Sequence, residues 1–148
     1  LLDSGMQGGV VYNTSDPNMV VRIGPGDADS EQNMADEELQ DTGGVVKIYV
    51  MREFQGEEGS YLATWKERID ENVEGYIYRN YPKEQQDELF SVLSGLYHVT
   101  RDGIRILKKY PATKGLADAI MNGLSVSDLD LSQNLGVTRD KRIVAFDS

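Results

Sequence analysis

Four oxygen-bearing side chains near the end of the sequence are suited to binding a cation beside a phosphate. They are Asp128, Asp130, Asn134 and Asp147. Two short apolar runs, 135–138 and 143–146, flank a charged four-residue connector, a pattern that predicts a β-hairpin. An antiparallel pair would bring these oxygens to one edge, where hard oxygen ligands suit Mg²⁺. The alternative is that the acidic residues simply occupy surface loops, which is common for any single one of them.

Composition limits what this hairpin can belong to. The chain has 148 residues, 39% of them apolar, which is enough for one domain or for two small lobes around a cleft. It has no cysteine and a single histidine, His98, so thiolate catalysis, disulfides and most zinc motifs are excluded. We expect His98 to be structural. The absence of cysteine is compatible with a reducing compartment, and we expect a cytoplasmic protein.

The charge and hydropathy patterns also limit the expected partners. The net charge of −10 argues against nonspecific binding to nucleic acid or to an anionic membrane. No apolar run approaches the roughly 18 residues of a membrane span. We therefore expect neither a nucleic acid nor a membrane as partner.

The first part of the chain reads as strands and one helix. Glycines in the opening residues precede a β-prone run, and a Pro/Asx turn separates residues 10–14 from 19–23, which predicts a hairpin. Residues 27–40 read as a helix that ends at Gly43-Gly44. Residues 45–54 and 61–65 read as two antiparallel strands, followed by a connector over 66–72. The sequence thus predicts about five strands and one helix.

The second part reads as helical. A helix beginning at Lys83 carries apolar residues at spacings of three and four, which predicts a buried stripe. The stripe comprises Leu89, Val92, Leu93, Leu96 and Tyr97. A second, shorter amphipathic helix contains Leu116 and Ile120 and ends at Asn122-Gly123. It leads directly into the predicted hairpin.

This order of parts resembles the protein-kinase-like superfamily, which includes protein kinases and the aminoglycoside and choline phosphotransferases. The motif SGMQGGV at 4–10 resembles its glycine-rich loop, and MVVR at 19–22 resembles the strand that carries its phosphate-binding lysine. The motif VVKIY at 45–49 resembles the strand that follows helix C. The motif IVAFDS at 143–148 resembles the strand that ends in a metal-binding Asp, and Asp147 follows Asn134 by 13 residues, as the two metal ligands of the family do.

The resemblance implies a fold and a set of roles. The fold would be α+β, with an antiparallel five-stranded sheet and one helix in residues 1–68. A reduced helical part and the metal-site hairpin would follow in residues 69–148, in one unit. The function implied is a phosphotransferase that uses ATP and Mg²⁺ to phosphorylate an unknown acceptor hydroxyl.

Each matching residue takes a role from the family. The residues expected to bind the nucleotide are Gly5, Gly8, Gly9, Arg22, Glu37, Glu38, Lys66, Glu67 and Arg68. Among them, Arg22 would contact the phosphates, Glu37 or Glu38 would orient it, and backbone groups of 66–68 would meet the adenine. Asn134 and Asp147 would hold Mg²⁺, and Asp128 or Asp130 would orient the acceptor.

Several features depart from the family pattern and leave alternatives open, among them a spacing and a substitution. Asp128 stands six and Asp130 four residues before Asn134, on either side of the usual spacing. An arginine replaces the lysine at position 22, and its planar fork differs in geometry from an ammonium group. The alternatives are an inactive, pseudokinase-like module that binds nucleotide or protein, or a truncated fragment of a larger enzyme. A fragment would expose apolar surface or cover it by forming a homo-oligomer.

Overall fold

An antiparallel sheet, sheet A, is built from the first part of the chain. In this computed structural model, residues 3–4, 9–26, 37–127 and 129–146 are described. The strands of sheet A are β1 (Asp3–Ser4), β2 (Val10–Asn13), β3 (Met19–Pro25), β4 (Ile48–Gly56) and β5 (Gly59–Glu67). Their order is β1-β2-β3-β5-β4. The predicted five-stranded sheet therefore has four strands of four or more residues and one two-residue segment at its edge.

The helix predicted over 27–40 lies largely outside the described residues. Its described end is helical at 37–39, continues as a 3₁₀ turn over Gln40–Thr42 and stops at Gly43. Gly43 has a φ of 80°, a left-handed conformation that glycine adopts without steric cost. The helix therefore ends at the glycine that the sequence indicated.

A second sheet, sheet B, carries the predicted hairpin. Strand β6 (Ile69–Glu71) pairs with β7 (Leu135–Thr138), which pairs with β8 (Ile143–Ala145). The β7–β8 hairpin is confirmed, with Leu135 opposite Ala145. The region expected to be a connector over 66–72 contains the last residues of β5 and the whole of β6. A three-residue strand is too short to leave a periodic signal in the sequence.

The two sheets are joined through the segment after Gly43. Val45 forms an isolated parallel bridge with Ala145. The N–H of Ala145 donates to the carbonyl of Gly44 at 2.9 Å, and the N–H of Val46 donates to the carbonyl of Ala145 at 3.3 Å. The strand expected over 45–54 accordingly begins only at Ile48, because residues 44–46 pair with sheet B instead of sheet A.

Four α-helices lie in the described residues between β6 and β7, where the sequence predicted two. They are α1 (Val73–Asn80), α2 (Lys83–Leu93), α3 (Arg101–Lys109) and α4 (Pro111–Met121). The side chains of Asn72 and Thr100 accept hydrogen bonds at the starts of α1 and α3, the two helices that were missed. Both helices are short, so in the sequence their N-capping residues indicate them more clearly than their apolar periodicity does.

The helices and sheet B share one apolar core. Leu89, Leu93, Leu107, Leu116 and Ile143 are all fully buried in it. The expected stripe on the first long helix is only partly right, since α2 ends at Leu93 and Tyr97 lies exposed on a following 3₁₀ turn.

These elements make the described chain an α+β structure with antiparallel sheets. None of the helices in the described residues has the length and apolar character needed to cross a membrane.

Candidate functional site

Arg22 lies on the inner face of β3. The burial of β3 alternates, with Val20, Arg22 and Gly24 buried. Arg22 is 3% exposed and stands opposite Val11 of β2 and Thr64 of β5. Because side chains of directly paired residues point to the same face of a sheet, the guanidinium group belongs to the buried side of sheet A.

Gly9 packs directly against the Arg22 side chain. A Cβ atom built on Gly9 would lie 2.5 Å from both Cζ and Nη2 of Arg22. The head group of Arg22 therefore lies across the start of β2, and a side chain at position 9 would have to displace it. Two of the predicted nucleotide-binding positions, Gly9 and Arg22, are in this way brought together. Gly5 and Gly8 lie outside the described residues.

Lys66 shares the buried face with Arg22. It pairs with Val20 on β3 and is 8% exposed, so its side chain and that of Arg22 lie on one face of two adjacent strands. Each of Arg22, Thr64 and Lys66 has an interaction partner. The sequence prediction concerned only the backbone of Lys66. The alternation of Leu62, Thr64 and Lys66 along β5 is the signal that could have placed its side chain.

The backbone N–H groups of Glu67 and Arg68 are already engaged. Glu67 N–H donates to the carbonyl of Lys47 at 2.8 Å, and Arg68 N–H donates to that of Asn18 at 3.0 Å. An adenine ring at this segment would therefore have to use carbonyl groups or a neighbouring residue. The side chain of Arg68 donates to Asn13 Oδ1 at 2.6 Å.

Glu37 and Glu38 begin the described end of the helix before Gly43. Both side chains are exposed. Within the part of the chain that the structure describes, neither forms an ion pair with Arg22. The role of orienting Arg22, which the resemblance assigned to one of them, stays a prediction.

Asn134 stands at the open end of the β7–β8 ribbon. Its carbonyl accepts a hydrogen bond from the N–H of Phe146 at 2.8 Å, which extends the ribbon by one pair. Its side-chain Oδ1 accepts from the N–H of Asp130 at 3.2 Å. Asp147 follows Phe146 directly in sequence but lies outside the described residues. The backbone thus brings Phe146 beside Asn134.

The carboxylate of Asp130 is held by its own loop. Its Oδ1 accepts hydrogen bonds from the N–H and the hydroxyl of Ser132, both at 2.9 Å. These bonds, from the backbone first and the hydroxyl second, lower the pKa of Asp130 below its ordinary value. The residue is an exposed turn former, and a lowered pKa makes its carboxylate a weaker base. Asp128, the other candidate, is not among the described residues.

The described residues alone do not form a metal site. No group of three or more acidic or histidine side chains converges anywhere in those segments. A Mg²⁺ site at Asn134 therefore depends on Asp147 and Asp128, which are not described. Carboxylate and amide oxygens are nonetheless suitable ligands for this ion.

Arg142 forms a cluster that the sequence did not reveal. Its Nη2 lies 2.5 Å from Oε2 of Glu67, its Nε donates to Asp140 at 3.0 Å, and its Nη1 donates to the carbonyl of Gly43 at 2.9 Å. Burial acts to raise the pKa of Asp140, but hydrogen bonds from Thr138 and Arg142 outweigh it and lower the pKa. The ribbon turn is thereby attached to sheet A.

Comparisons with known proteins leave the family undecided. The sequence matches no protein-family model, and a search of the curated proteins found no significant match.

Proposed function

We propose that this chain is a kinase-like phosphotransferase that transfers a phosphoryl group from ATP, with Mg²⁺, to a hydroxyl group of an unknown acceptor. The observation that carries the proposal is the contact between Gly9 and the Arg22 head group on β3. A glycine-rich loop followed by a cation on the third strand is the arrangement by which protein kinases hold ATP phosphates.

In this proposal the residues act mainly by position and charge. Backbone groups of residues 5–9 cover the phosphates, and Arg22 neutralises part of their charge. Asn134 and Asp147 would hold Mg²⁺, and the ion would supply positive charge to the phosphates. Asp128 or Asp130 orients the acceptor hydroxyl. Lys66 adds a second cation on the face that carries Arg22.

A second candidate is nucleotide binding without turnover. The observation in its favour concerns the carboxylate of Asp130, which faces solvent. It already accepts two hydrogen bonds from Ser132, one from the N–H and one from the hydroxyl. If Asp128 is likewise misplaced by one residue, the acceptor loses its orienting group. Errors of about 1 Å in such positioning cost roughly two orders of magnitude in rate.

Nucleotide binding can be tested by calorimetric titration and by the shift in Tm. We expect ATP with Mg²⁺ to bind and to raise Tm, and AMP, which lacks the β- and γ-phosphates, to do so less. Arg22→Lys should retain part of the affinity, and Arg22→Met should lose about tenfold or more. Arg52→Met, on the exposed edge strand β4, is the matched control and should bind as the wild type does. Equal affinities for ATP and AMP would contradict a phosphate site.

Turnover distinguishes the two candidates. Release of the γ-phosphate, or its transfer to added hydroxyl compounds, should fall by two or more orders of magnitude in Asp147→Asn while ATP binding persists. Nucleotide binding with equal, background rates in both proteins would favour the inactive module.

A further inference from the structure

Helix α3 is basic on an otherwise acidic protein. Its nine residues include four cations and one acidic residue, whereas the whole chain carries a net charge of −10. The cations are Arg101, Arg105, Lys108 and Lys109. This local reversal of sign creates a positive surface on the helical part of the molecule.

Beside this helix lies an apolar hollow, which we call the α3 groove. It has a volume of about 490 Å³, within the range of about 300–1,000 Å³ that is typical of ligand pockets. Val99, Ile104 and Met121 supply its apolar surface, and Met121 is 59% exposed. The three cations Arg101, Arg105 and Lys108 also line it, at spacings that put them on one side of the helix.

Two of these three cations are available to an incoming anion. Arg105 lies 3.0 Å from Asp102 in an exposed pair, and Lys109, which follows Arg105 by one turn but does not line the groove, lies 2.7 Å from Glu88. Among the residues that the structure describes, Arg101 and Lys108 form no ion pair. Both are exposed. The groove therefore combines exposed apolar surface with positive charge that no described carboxylate neutralises.

We propose that the α3 groove is a docking site for an acidic peptide segment of a partner protein. One or two large apolar side chains of the peptide occupy the surface formed by Val99, Ile104 and Met121. Flanking Asp or Glu side chains meet Arg101 and Lys108. Charge complementarity of this kind sets specificity and the association rate. A single peptide segment in one groove makes a weak, transient interaction.

The overall charge favours a peptide over a membrane as the occupant. Electrostatic interactions at physiological salt decay over about 8 Å, so a short peptide in the groove experiences mainly the local cations. An anionic bilayer is an extended surface that also faces the acidic remainder of the protein.

Fluorescence anisotropy tests the proposal with a labelled synthetic peptide of Glu and Leu residues. A second peptide, with Lys in place of every Glu, serves as its counterpart. We expect the acidic peptide to bind and the basic one not to. Binding should weaken about tenfold in the double variant Arg101→Glu/Lys108→Glu, and it should weaken with rising salt. Met121→Ser, which removes apolar surface only, should also weaken binding but leave the salt dependence unchanged.

The matched control is Arg52→Glu/Lys83→Glu, which changes the net charge equally at exposed sites outside the groove. It should bind the acidic peptide within about twofold of wild type. Circular dichroism spectra should be unchanged in all variants and Tm should shift only slightly, because every substituted side chain is exposed and the pair of Lys83 with Asp87 is a surface pair.

Three results would overturn the proposal. The first is equal weakening in the control variant, which would indicate a nonspecific effect of net charge. The second is binding to phosphatidylserine vesicles without binding to the acidic peptide. The third is self-association, measured by sedimentation, that the groove variant abolishes, because the occupant would then be a second copy of the chain.

Discussion

Arg22 and Arg142 are both largely shielded from solvent, yet they serve different parts of the molecule. Arg22 lies on the inner face of sheet A with its head group against Gly9. Arg142 lies in the ribbon turn, where Glu67, Asp140 and the Gly43 carbonyl surround it. The comparison shows that an arginine's environment, and not its burial, indicates its role. In the proposed function Arg22 meets a phosphate, whereas Arg142 joins the two sheets.

The largest expected effect comes from removing the joining arginine. Arg142→Met leaves Glu67 and Asp140 without their shared cation, and we expect it to lower the free energy of unfolding by about 2–4 kcal/mol. Arg139→Met is the control in the same turn. Arg139 is exposed and donates to Asn18 Oδ1 at 2.8 Å, so its loss should cost no more than about 0.5 kcal/mol. Urea unfolding measures both, and equal costs would remove the structural role of Arg142.

A smaller effect is expected at the glycine beside Arg22. In Gly9→Ala the new methyl group overlaps the guanidinium, and displacing that side chain should cost about 1–2 kcal/mol of stability. Gly95→Ala is the control, because the nearest atom to its Cβ would be 3.7 Å away. In the background of Arg22→Met, the cost of Gly9→Ala should fall. A cost that persists there would mean that something other than Arg22 requires the glycine.

The contribution of Arg142 should depend on pH. Since the pKa of Asp140 is lowered in the folded protein, its stabilising effect is present above the ordinary value of 3.8. Below that value the unfolded chain takes up the proton first, and the effect is lost as pH falls. We therefore expect the stability difference between wild type and Arg142→Met to shrink as the pH falls from 6 to 3, and only slightly, because the Asp140 side chain is 58% exposed and screened by solvent. A difference that is constant across this range would show that Asp140 contributes nothing.

The smallest effect is expected at Lys141. This residue has a φ of 68°, and its Nζ lies 2.7 Å from Glu71 Oε2 in a partly exposed pair. Lys141→Gly relieves the left-handed strain but loses the pair, so stability should change by no more than about 0.5 kcal/mol. Lys141→Ala loses the ion pair but keeps the strained left-handed conformation, so it should be about 1 kcal/mol less stable than the glycine variant. Thermal unfolding of the two variants gives the comparison.

Elements that depend on neighbouring residues, such as hairpins and the longer helices, were predictable from the sequence. The β7–β8 hairpin and the β2–β3 hairpin follow from apolar runs around polar turns, and both are confirmed. Helix α2 follows from its apolar spacing. Helices α1 and α3 were missed because each is short and is defined mainly by a capping side chain, Asn72 or Thr100.

The candidate site was less accessible to prediction. The closeness of Gly9 to Arg22 was implied by the family resemblance, and the structure places the two in contact. The inward side chain of Lys66 required knowledge of the strand register. The partners of Arg142 could not be predicted from local sequence patterns, because two of the three come from distant parts of the sequence. The catalytic and metal-binding roles stay predictions.

The hydrogen bond from Arg142 to Gly43 spans 99 positions in the sequence, and the pairing of residues 44–46 with β8 spans a similar distance. Closing so long a loop costs chain entropy before any contact compensates for it, so such contacts form late in folding. The polypeptide must therefore be synthesised at least through position 145 before residues 44–46 can pair with Ala145. A ribosome-bound chain that ends before β8 would display this segment to chaperones and proteases.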